Sequence, residues 1–149
     1  MGLTRDQRFF VLFSVLAVLL TGFIFYNSMQ DADVSHVQSA GVLNMLSSVI
    51  PGLTEHIVRK LAHLLEYAAL GWDLCALSVF FRRCFPRRIL PLAACFPGIP
   101  VIDECIQLFS AGRSAQFTDV CLDWSGMVFG ALVCIAMIRI VQRLFGFRI

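Results

Sequence analysis

Residues 58–81 read VRKLAHLLEYAALGWDLCALSVFF, a run apolar enough to cross a bilayer that nevertheless carries Arg59, Lys60, His63, Glu66 and Asp73. A spanning helix needs about 20 mainly apolar residues at about 1.5 Å each, and this run meets that length. The basic stretch Arg82-Arg83-Cys84-Phe85-Pro86-Arg87-Arg88 stops it. Upstream, residues 9–26 form an apolar run preceded by Arg5 and Arg8. It continues into Asn27-Ser28-Met29 without a small-residue cleavage site, which predicts an uncleaved span. Downstream, residues 89–109 form a third run broken by Pro91, Pro97 and Pro100, and residues 117–138 form a fourth.

The rest of the composition agrees. The chain has 149 residues, 58% of them hydrophobic, only 15% charged, and 14 are Phe. Its mean hydropathy is +0.79. A mixture this apolar excludes a water-soluble enzyme domain and intrinsic disorder alike. Between the first two runs, Val34, Val37, Met45, Leu46, Val49 and Ile50 recur at helical spacing among polar residues. That pattern predicts a helix at the membrane interface over about 31–50, ended by Pro51-Gly52. The prediction is thus a single all-α polytopic domain, residues 1–149, with four transmembrane helices and one interfacial helix. The six cysteines show no CxxC spacing and read as small packing residues. No Walker motif supports ATP-driven transport, and the basic residues form no nucleic-acid stripe.

Positive charge orients the spans. With both termini in the cytoplasm, only Arg59, Lys60 and Arg113 of the 12 basic residues fall elsewhere. This predicts a multi-pass protein of the cytoplasmic membrane. Glu66, Asp73, Asp103, Glu104, Asp119 and Asp123 then lie in or beside spans, where each carboxylate costs about 2.5–3.5 kcal/mol at the bilayer centre. They should face one another or water. At about 100° per residue, Arg59, His63, Glu66 and Asp73 share a face of the second span. Pro100, Asp103 and Gln107 share one on the third, with Glu104 more oblique, and Asp119, Asp123, Gly126 and Gly130 one on the fourth. Three polar faces predict one polar pocket in the outer half of the membrane, with Asp73 deeper. The Gly126-x-x-x-Gly130 pair predicts close approach of a neighbouring helix.

These pieces together resemble the VanZ-like family of small bacterial membrane proteins. The matching set is Arg59-Lys60-Leu61-Ala62-His63-Leu64-Leu65-Glu66-Tyr67, Asp103-Glu104-x-x-Gln107-x-Phe109, Gly112-Arg113, Asp119 and Asp123-x-x-Gly126-x-x-x-Gly130. Ala111 stands where the family's loop has proline, and Asp123 where it often has Asn. The resemblance implies an envelope protein, since the family takes its name from an accessory factor of glycopeptide resistance associated with teicoplanin, a lipid-tailed glycopeptide. It supplies no reaction.

The residues themselves suggest chemistry. His63, Glu66, Asp103, Glu104, Asp119 and Asp123 are the candidate catalytic groups, because a His with nearby carboxylates can move a proton. The same groups could instead close interhelical hydrogen bonds. A divalent metal at this His/carboxylate cluster is the less favoured reading, because HxxE is not a selective ligand motif. Arg59, Lys60, Tyr67, Gln107 and Arg113 are the candidate substrate contacts, Arg113 as a guanidinium fork for phosphate or carboxylate. Three cations against more acids leave at least one carboxylate uncompensated. Two functions fit: a hydrolase or transferase on a lipid-linked or phosphate-bearing substrate, or a non-enzymatic factor that binds lipid, lipoglycopeptide or a partner protein. An ion-coupled transporter ranks third, since one four-span chain would have to oligomerise to build a path.

Overall fold

A computed structural model describes residues 2–48, 50–84 and 97–146. All secondary structure among them is helical: α1 (Arg5–Ser28), α2 (Ala32–Leu46), α3 (Glu55–Cys84), α4 (Gly98–Gln107) and α5 (Phe117–Phe145). Three of these helices, α1, α3 and α5, are long and apolar enough to cross a membrane. They match three of the four expected spans and extend each by several residues, because the basic ends continue the helix. Of the expected third span, the described residues contain only α4, ten residues long. The first part of that span, with Pro91 and Cys95, lies outside the described residues, as do Arg87, Arg88, Val49 and Arg148.

Local chemistry sets the helix starts. Thr4 accepts from the Gln7 amide while the Gln7 side chain accepts from the Thr4 amide, which caps α1. The expected interfacial helix appears as α2. It stops at Leu46, short of Pro51-Gly52, where Gly52 takes a left-handed turn at φ 91°.

The long helix α3 is central. Against it α1 runs antiparallel: Phe9 and Phe13 stack on Phe80 at 5.1 and 5.5 Å between ring centroids, while at the other end Asn27 reaches Glu66. On its other side α5 runs parallel, with Leu64 against Gly126 and Ala68 against Gly130. A Cβ on Gly126 would stand 2.6 Å from the Leu64 carbonyl oxygen, and one on Gly130 would overlap the Ala68 carbonyl. The expected close approach therefore occurs at these two glycines, with Gly71 of α3 lying against the Met127 backbone to complete the contact. Ile24, Tyr67, Leu70, Leu74, Leu77 and Met127 form the buried core. Much of the remaining apolar surface, such as Val18, Leu19, Leu132 and Leu144, faces outward, as a lipid-facing surface requires.

Candidate functional site

The close packing of α3 on α5 brings polar residues of both helices together near their N-terminal ends. Six residues along α5 from Phe117, Asp123 lies about 9 Å from the helix start; His63 lies about 12 Å from the start of α3. His63 Nδ1 stands 3.8 Å from Asp123 Oδ1. From α4 comes Asp103, and one ligand atom each from His63, Asp103 and Asp123 falls within 4.8 Å of the others. Asp103 and Asp123 are 0% and 1% exposed.

The expected acids divide by partnership. Glu66 accepts from Asn27 Nδ2 at 2.9 Å, Glu104 accepts from the Gln116 amide, and Asp119 pairs with Lys60. By contrast, neither carboxylate oxygen of Asp103 or Asp123 has a hydrogen-bond partner among the described residues. Ser28, Tyr67 and Gln107 crowd the Asp103 carboxylate, yet the Ser28 and Tyr67 hydroxyls are also unpartnered. Buried groups of this kind cost several kcal/mol unless satisfied. Charge counting leads to the expectation of at least one carboxylate without a cation, and Asp103 and Asp123 are two such acids within the cluster. Asp73, also buried and unpartnered, sits farther along α3 beyond the cluster.

Two cavities adjoin this cluster. A polar one of about 170 Å³ is lined by Arg59, Lys60, His63, Gln107, Arg113, Asp119 and Asp123, together with His36, His56 and Gln116. A larger, mainly apolar one of about 380 Å³ runs between α2 and α3, walled by Val42, Leu53, Val58, Leu61, Leu65 and Glu66. Arg59, His63 and Arg113 line both.

Not every candidate reaches a cavity. Tyr67, expected as a substrate contact, is 0% exposed in the helix interface and lines neither cavity. Its ring is more useful as core between α3 and its neighbours than as a cavity wall. Asp103 and Glu104 likewise sit behind the cavity walls. The loop carrying Arg113 is held from below: the Ala111 amide donates to Asp31 Oδ1 at 2.9 Å, the Ala32 amide donates to the Ala111 carbonyl, and Ser110 Oγ donates to the Ser28 carbonyl. Gly112 at φ 73° makes the turn. Burial lowers the Arg113 pKa from its ordinary value, Arg59 adds to this, and Asp103, Glu104 and Asp31 oppose it. Its Nε is buried without a partner among the described residues.

Sequence reasoning missed Asn27, Asp31, His36 and His56. Asn27 follows directly on the apolar stretch of α1 and reads as the polar end of a span. Its contact with Glu66 depends on how α1 is paired, which spacing does not encode.

An α-helical membrane protein with a buried His/carboxylate cluster at one end of its helix bundle is thus the class that fold and site define. The chain belongs to the VanZ/LLP1 family, whose model matches residues 13–140. No curated protein and no solved structure matches it.

Proposed function

We propose that this protein binds an anionic amphiphile from the outer leaflet and acts on its head group as a hydrolase or transferase. One observation carries the reading: the polar and the apolar cavity meet at Arg59, His63 and Arg113. A ligand laid across that junction has its charged head among guanidinium and ammonium groups and its chain in an apolar groove. Arg113, Arg59 and Lys60 hold a phosphate or carboxylate, Arg113 by its fork. Gln107 orients it. His63 and Asp123, with Asp103 behind them, form the reactive wall that activates the attacking oxygen, while Glu66 borders the groove.

The outward direction rests on reading the chain as four spans with both termini in the cytoplasm, the arrangement that the distribution of basic residues favours. The parallel run of α3 and α5 fits a return crossing between them. On this orientation the cavity meets lipid head groups and cell-wall precursors rather than cytosolic metabolites. A lipid-tailed glycopeptide such as teicoplanin has the same head-and-tail form, and reduced drug sensitivity would follow from its capture.

The test uses purified full-length protein in nanodiscs with a series of polyisoprenyl and glycerol phosphates, scoring phosphate release, head-group transfer and retained lipid by native mass spectrometry. Turnover abolished by Asp123→Asn supports the enzyme. Retention without turnover, weakened by Arg113→Gln, shows the non-enzymatic binder. Neither turnover nor retention contradicts both.

A further inference from the structure

We propose that His63, Asp103 and Asp123 form a binding site for a divalent transition-metal cation of the zinc or manganese kind. Three helices contribute one ligand each: α3 the imidazole, α4 and α5 a carboxylate each. The ligand atoms already lie within 4.8 Å of one another. Ligands about 2.1 Å from a tetrahedral ion stand about 3.4 Å apart, so small side-chain rotations close the site.

Burial supplies the independent argument. Asp103 and Asp123 are almost wholly excluded from solvent; neither oxygen of Asp123 has a hydrogen-bond partner among the described residues, and Asp103 has only the Ser28 and Tyr67 hydroxyls and Gln107 beside it, none in full hydrogen-bond geometry. Nearby acids in the same region have partners, Glu66 in Asn27 and Asp119 in Lys60, while Glu104 is partnered at one oxygen by the Gln116 amide and keeps the other buried and unpartnered. Among the described residues, Lys60 pairs with Asp119, His36 with Glu55 and Arg83 with Asp6, while Asp123 has only His63 within ion-pair reach and Asp103 feels the Arg113 charge without a direct ion pair. Two carboxylates and a neutral imidazole match one divalent charge and give the orphaned oxygens a partner.

Ligand chemistry narrows the ion. One nitrogen and two oxygens suit zinc or manganese, whereas calcium asks for six to eight oxygens and magnesium for an octahedral oxygen shell. Three protein ligands leave a position open, as in catalytic rather than structural zinc sites. His63 and Asp123 line the polar cavity, so that position faces the space where an anionic head would enter. Zinc held at the site would lower the pKa of a bound water and so supply a nucleophile.

This site rests on the side-chain cluster and not on the lipid reading, and the two are scored separately. Full-length protein is purified without chelators and its metal content measured by mass spectrometry, then stripped and titrated with Co²⁺ as an optical probe. About one zinc or manganese per chain and a visible Co²⁺ spectrum are expected. Asp103→Asn and Asp123→Asn should each weaken Co²⁺ binding at least tenfold, while Asp73→Asn leaves it unchanged. A wild-type protein that holds no metal and gives no Co²⁺ spectrum overturns the proposal without any variant, as does full binding by folded Asp103→Asn and Asp123→Asn proteins. Lipid turnover by a protein that binds no metal overturns the site while the lipid reading survives; metal binding without any lipid turnover or retention does the reverse.

Discussion

Gly130 of α5 lies against the Ala68 carbonyl of α3 with no room for a side chain between them. One turn earlier Gly126 meets the Leu64 carbonyl, and one further turn back Asp123 meets His63. The approach of two backbones therefore sets the spacing of the ionisable pair. Gly130→Leu should push the helices apart and cost at least about 1–3 kcal/mol, the usual range for overpacking. Thermal unfolding in detergent measures the loss. Co²⁺ binding should fall with it, because His63 and Asp123 would separate.

Asn27 fixes Glu66 through one hydrogen bond of 2.9 Å. Interhelical bonds of this kind average about 0.6 kcal/mol and reach about 1.7. Asn27→Ala should destabilise the protein by that order, and a double-mutant cycle with Glu66→Ala, which removes the acceptor, should return most of the effect as coupling. A coupling of zero would mean that the two side chains do not meet in the membrane.

Asp31 accepts from the Ala111 amide and so steadies the loop that carries Arg113. Asp31→Ala should cost about 1 kcal/mol locally and speed hydrogen exchange at residues 110–113. Lipid retention should weaken in step with that exchange, though Asp31 does not line either cavity.

Lys60 and Asp119 pair at a site where both side chains are about one-third exposed, 31% and 30%. Exposed pairs contribute about 0–1 kcal/mol. Asp119→Asn should therefore alter stability little, and metal content not at all. A loss of metal equal to that of Asp123→Asn would place Asp119 among the ligands.

Much of this was legible before any coordinates. Residues 9–26 and 117–138 announce spans because apolar length has few other meanings, and Gly126 with Gly130 announces a close contact because nothing else fits there. The convergence of His63, Asp103 and Asp123 followed from helical phase plus the cost of isolated charge in lipid. What phase could not supply was pairing. Asp119 and Asp123 share one face of α5, yet Lys60 takes the first while the second stays unpartnered, a difference of one helical turn in depth. Tyr67 likewise shares the motif with His63 and Glu66, but its rotation on α3 turns it into the packed interface. The apolar groove escaped notice because α2 forms one of its walls, and the docking of a mixed helix is not written in its own periodicity.

The direction in which the polar cavity opens decides which molecules can enter it. Ser114 lines that cavity, and in a cysteine-free background Ser114→Cys offers a single thiol there. A membrane-impermeant maleimide applied to intact cells should label it fully. Labelling that appears only after the membrane is permeabilised would put the cavity on the cytoplasmic side and contradict an outer-leaflet substrate.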